Sequence, residues 1–128
     1  DIINRVVDEP EVVFGLFKKW LWGKNVSDDL RELGYQRLME TAPEITQGDY
    51  AACDKFDVRQ RLGEIAVPTL VIGGTDDKMT PYKFSVYLQE QIINASLATV
   101  EEAGHMMALE QPEMVVEAVM NWLKTTFK

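Results

Sequence analysis

Two short apolar runs, each stopped by glycine, constrain this chain more than any other feature. The first, Leu70-Val71-Ile72, ends at Gly73-Gly74 and is followed by Thr75-Asp76-Asp77. The second, Leu97-Ala98-Thr99-Val100, leads to Gly104-His105, and that histidine is the only one in the sequence. Apolar runs of this length, bounded by turn residues, read as buried strands over roughly 69–73 and 97–101. Between them Pro81 opens a stretch with Phe84, Tyr87, Leu88 and Ile92 at helical spacing. Two strands joined by a helix of this length pair in parallel, with a right-handed crossover. Parallel strands end at the same edge of a sheet, ~4.8 Å apart. Asp77 and His105 follow those ends, so topology brings together two residues that sequence keeps far apart.

A carboxylate beside an imidazole has a defined chemical use. It fixes the tautomer, orients the ring and stabilises the imidazolium that forms when the histidine takes a proton. Gly73 and Gly74 are expected to supply backbone angles that other residues resist, and Gly104 to allow close approach of its loop. The same residues have ordinary readings as well. A histidine after glycine is common in surface loops, and Asp76-Asp77 after Gly-Thr is a usual turn composition.

The rest of the chain sets these strands in context. Residues 1–55 read as helical. Pro10 suits a helix start, and Val12, Val13, Leu16, Phe17, Trp20 and Leu21 recur at helical spacing up to Gly23. Ser27 is placed to cap a second helix with Leu30, Leu33, Leu38 and Met39 on its apolar face. Pro43 or Gly48 is expected to break it, and a shorter third helix to run over 49–55. Trp20 and Trp22 read as packing residues. The character changes at 56–57, where a short polar segment precedes the first strand. After the second strand, Pro112 opens a helix with Val115, Val116, Val119, Trp122 and Leu123 inward. The reading is an α/β chain: a helical segment, 1–55, then a strand–helix–strand–helix segment, 56–128.

Composition excludes several function classes. The 128 residues carry a net charge of −8, unsuited to nucleic acid or an anionic membrane surface. No run approaches the ~20 apolar residues of a membrane span, and no signal-peptide pattern is visible. Cys53 is alone, so no internal disulfide forms. No cofactor or metal is expected, because one histidine and scattered carboxylates lack ligand spacing. Gly73-Gly74 likewise lacks the Lys-Ser/Thr of a phosphate-binding loop. A cytoplasmic location is expected.

Two motifs then carry a resemblance. Pro68-Thr-Leu-Val-Ile-Gly-Gly-Thr-Asp-Asp-Lys-Met-Thr-Pro81 and Ala103-Gly-His105-Met-Met-Ala-Leu-Glu-Gln-Pro112, followed by a helix with Asn121-Trp-Leu123, resemble the C-terminal part of the α/β-hydrolase superfamily. The resemblance covers about 56–123. It implies that Asp77, three residues after Gly74, is the triad acid, in preference to Asp76, and that His105 is the triad base. It implies that the preceding helices are a cap, and that Glu110 and Pro112 belong to the start of the last helix. It also implies a small carboxylic ester or similar acyl substrate. The nucleophile motif Gly-x-Ser-x-Gly is absent. Ser27, Ser85 and Ser96 are not flanked by glycines on both sides, and Cys53 stands in no such turn. The expectation is therefore the cap and last third of a hydrolase, inactive alone, with the serine outside this sequence. Open sheet edges lead to a further expectation of self-association or a complementing N-terminal segment. The alternative from a different class is a non-catalytic, truncated relative that binds a ligand or partner.

Overall fold

A computed structural model describes residues 2–128. The chain divides into two compact units. One comprises residues through Lys19 together with Val26–Asp57; the other comprises Trp20–Asn25 together with Val58–Lys128. Trp20–Asn25, read from sequence as part of the helical segment, thus belongs to the second unit.

The first unit is helical. Helix α1 (Ile2–Asp8) and helix α2 (Pro10–Trp20) are separated at Glu9, with Pro10 at the first helical position, where its missing N–H removes no bond. Helix α2 buries Val13, Phe14 and Phe17, while Val12 faces out. Ser27 caps helix α3 (Asp28–Met39), its hydroxyl accepting from Leu30 N–H at 3.3 Å. The apolar face expected for α3 is not covered: Leu33 and Met39 are exposed. The helix is tied instead by the Lys18–Glu32 ion pair and by Lys18 over the Tyr35 ring. Helix α4 (Pro43–Lys55) starts earlier than the expected 49–55. The run of α3 ends before Pro43, which opens α4, and Gly48 is carried in the interior of α4 at a cost of ~1 kcal/mol relative to alanine. Phe17 stacks on Tyr50 of α4 with ring centroids 5.0 Å apart.

The second unit holds the sheet. The polar segment before it forms a 3-10 turn, Arg59–Glu64, that buries Leu62. Strand β1 (Thr69–Gly74) and strand β2 (Ala95–Val100) pair in parallel, with Gly74 opposite Val100, as the strand–helix–strand reading requires. Helix α5 (Lys83–Gln91) crosses between them. It begins after Pro81, and Phe84 is 50% exposed where an inward position was expected. A short helix α6 (Met107–Glu110) precedes helix α7 (Pro112–Thr126). Glu110 therefore closes α6; it does not open the last helix. On α7, Val115, Val119 and Trp122 are half-buried, whereas Val116 and Leu123 are exposed. Periodicity fixes which stripe of a helix is apolar, but a two-strand sheet covers only part of that stripe. No helix among the described residues is long and apolar enough to cross a membrane.

Candidate active site

The two loops that follow β1 and β2 are laced together past the end of the sheet. Thr75 N–H donates to Val100 O at 3.1 Å and Asp76 N–H to Ala103 O at 2.9 Å, while Glu102 N–H donates to Thr75 Oγ1 at 2.8 Å. This lacing fixes Asp77 against the loop that carries His105. The Asp77 side chain is 4% exposed and the His105 side chain 37% exposed. His105 Nδ1 lies 3.0 Å from Asp77 Oδ2. Asp77 Oδ1 accepts from the backbone N–H groups of Met79 (2.8 Å) and Thr80 (2.9 Å), and Oδ2 also accepts from the Thr80 hydroxyl at 2.9 Å.

A carboxylate with four such donors has its acceptor positions filled. Burial by itself pushes the Asp77 carboxyl up. The Thr80 backbone N–H, His105 and the Thr80 hydroxyl outweigh it and hold the group below the ordinary carboxylate range. Asp77 is thus an acceptor, so Nδ1 carries the proton toward it, and the lone pair of the neutral ring is on Nε2. Asp76 points elsewhere: its Oδ2 accepts from Lys24 N–H at 3.3 Å. Of the two adjacent acids, Asp77 is the one that reaches the imidazole.

Residues 48–127, well over half the chain, match the family model described as TAP-like protein. The chain belongs to this TAP-like family of the α/β-hydrolase superfamily. It is 29% identical over 99 residues to 3-oxoadipate enol-lactonase 1 of Acinetobacter baylyi, covering 77% of this chain and 37% of that protein. It is 37% identical over 84 residues to a proline iminopeptidase of Lactobacillus helveticus, covering 66% of this chain and 26% of that protein. An esterase from Exiguobacterium antarcticum superposes with a TM-score of 0.86 at 24% identity, over 96% of this chain and 46% of that one, and so shares the fold. The chain spans less than half the length of each of these proteins.

Three features of this α/β-hydrolase chain escape the sequence reading. Thr80 is one; the Asp-x-x-Thr spacing, which lets a side chain meet the backbone three residues on, was the available signal. The Leu21–Gly23 segment is another, held against the His105 loop by Met106 N–H donating to Leu21 O at 3.1 Å. Glu110 is the third, its Oε2 accepting from Gly23 N–H at 3.0 Å and Gly104 N–H at 2.9 Å. The expectation about glycine angles also needs correction. Among the described residues no glycine has positive φ; Glu102 takes that conformation, at φ 59°. Gly74 is required by close approach instead, and Gly104 by the close approach expected of it, since a Cβ at either would run into backbone of a neighbouring segment. Among the described residues no group of three or more His, Cys, Asp or Glu is placed to hold a metal ion.

The Asp77 environment gives an acid-stability prediction. Its folded-state value lies below the ordinary unfolded one of ~3.9. Its contribution is therefore complete above that value and is lost as pH falls through the depressed folded one. Asp77→Asn is expected to lower the urea midpoint at neutral pH and to flatten its fall between about pH 5 and 2. An acid limb as steep in the variant as in the parent would contradict this.

Proposed function

We propose that this chain is the C-terminal portion of a serine-type α/β hydrolase that acts on carboxylic esters or similar acyl compounds. The observation that carries the reading is the Asp77–His105 hydrogen bond at 3.0 Å. The relatives add support from chemistry, since lactone, peptide and ester cleavage all proceed at an acyl carbon. In this reading residues 1–55 are a helical cap, apart from Trp20–Asn25, which pack with the sheet, and 56–128 are the end of the catalytic core.

His105 Nε2 takes the proton of a serine hydroxyl as its oxygen bonds to the substrate carbonyl carbon. His105 then returns that proton to the departing alcohol, leaving an acyl-serine. Water attacks the acyl-serine by the same route, with His105 again as base, and releases the acid and the free serine. Asp77 remains ionised throughout and stabilises the imidazolium. The serine comes from outside this sequence. The remaining strand edges are then covered by another segment, which also accounts for the exposed apolar residues Phe84, Val116 and Leu123.

A paired experiment tests this. The protein expressed with its upstream coding sequence is expected to be labelled on serine by a fluorophosphonate, with labelling strongly reduced in His105→Ala. The 128-residue chain is expected to be unlabelled and, by light scattering, self-associated. Labelling of the longer protein that does not depend on His105 would sink the catalytic role. A monodisperse monomer of the short chain at high concentration would sink the claim about its edges.

A further inference from the structure

We infer that Glu110 is a positioning residue for His105, clamping the loop that carries it onto the Leu21–Gly23 segment. The inference rests on the reading of Asp77 and His105 as the working pair. His105 is held on both sides. The residue before it, Gly104, donates its N–H to Glu110 Oε2 at 2.9 Å. The residue after it, Met106, donates its N–H to Leu21 O at 3.1 Å. Glu110 completes the clamp by accepting a second N–H, from Gly23 at 3.0 Å, on the same oxygen. Its other oxygen, Oε1, is buried with no hydrogen-bond partner among the described residues, so Oε2 takes both donors.

Local structure explains how one side chain reaches both groups. The turn of α6 begins with Leu109 and Glu110 N–H groups on Met106 O, at 2.8 and 3.0 Å, and folds Glu110 back toward Gly104. Gly23 and Gly104 carry no side chain, and none would fit: a Cβ on Gly104 would overlap Trp22 and Gly23 backbone, and a Cβ on Gly23 would lie 2.9 Å from Gly104 N. The two backbones therefore meet directly, with the carboxylate as their common acceptor. The same segment touches the acid loop, since Lys24 N–H donates to Asp76 Oδ2, and it is pinned outside by Lys24 and Asn25 on the Glu102 carboxylate at 2.7 and 2.6 Å. A charged acceptor makes stronger bonds to backbone N–H than a neutral one. Loss of the Glu110 acceptor frees Gly104, and the imidazole next to it loses its fixed approach to Asp77.

The imidazole Nδ1–H resonance reads this directly, and it is unambiguous because the chain has one histidine. The experiment records that resonance by 15N-edited NMR in the 128-residue chain, with backbone amide exchange in β1 and β2 as the measure of folding. In Glu110→Ala the Nδ1–H resonance is expected to be lost through faster exchange while the strand amides stay protected. Glu110→Gln keeps an acceptor oxygen and is expected to restore the signal. Persistence of the resonance in Glu110→Ala overturns the inference. So does loss of strand protection in that variant, which would make Glu110 a fold residue, and so does failure of Glu110→Gln to restore the signal. Asp77→Asn run in parallel tests the underlying pair: if it leaves the resonance unchanged, the Asp77–His105 reading fails whatever Glu110 does.

Discussion

The 128-residue chain is expected to hydrolyse a p-nitrophenyl ester no faster than buffer, and His105→Ala is expected to leave that rate unchanged. In the proposed reading the dyad alone offers a base with nothing to activate. Loss of the nucleophile from a well-studied triad costs on the order of 10⁶ in turnover. The serines present have other places: Ser27 caps α3, Ser85 lies in α5 where it would meet any side chain on Gly73, and Ser96 lies in β2. Cys53 is an exposed residue of α4. Turnover above buffer that disappears in His105→Ala would show that a group within this chain serves as nucleophile, and would overturn the proposal that the serine lies elsewhere.

Inactivity of the short chain is also what a non-catalytic relative would give. The two differ in what the neighbouring residues are for. A binding module has no need to hold an aspartate with four donors against a histidine that keeps one ring nitrogen unengaged by that aspartate. Serine labelling of the longer protein, dependent on His105, separates the two readings.

The parts of the site that were legible in the sequence are those where the chain marks its own geometry. A strand that stops at glycine and continues with acid, and a second that stops at Gly-His, carry the information about which edge they share. The preference for Asp77 over Asp76 rests on the family pattern; in the structure Asp77 Oδ2 lies 3.0 Å from His105 Nδ1, and Asp76 bonds to Lys24 N–H. Thr80, Glu110 and Leu21–Gly23 were not legible. Their partners are backbone groups of distant segments, and backbone N–H and C=O groups leave no trace in residue identity. The apolar faces were legible as stripes and not as contacts. Leu33, Phe84 and Val116 occupy positions the helical period marks as inward, and nothing in the period says whether another element covers them. Of Pro43 and Gly48, alternative breakers of the second helical run by local propensity, Pro43 follows the end of α3 and opens α4, whereas Gly48 lies inside α4, because a helix interior accepts one glycine.

Gly104→Ala is expected to destabilise the chain by about 3 kcal/mol or more, at the upper end of the range for overpacking. The new methyl group would meet backbone of Trp22 and Gly23, and neither can rotate away as a side chain would. Small domains are stable by only about 5–15 kcal/mol, so this one change removes a large share of what holds the second unit. Gly48→Ala is the matched control and has the opposite sign. Gly48 is exposed in α4 with nothing within 4 Å of the added carbon, so alanine is expected to raise stability by ~1 kcal/mol through helix propensity. Urea midpoints followed by circular dichroism measure both. A Gly104→Ala midpoint equal to the parent would mean that the Gly23–Gly104 junction opens without cost, and the close approach would then not constrain the His105 loop. Gly23→Ala supplies the remaining test, because its Cβ would lie 2.8 Å from Glu110 Oε2 and 2.9 Å from Gly104 N. Two substitutions that force the same junction apart do not add, since the first has already opened the space that the second needs. The double variant is therefore expected to be less destabilised than the sum of the singles. Strict additivity would place the two glycines in independent contacts and separate Glu110 from the loop it is inferred to hold.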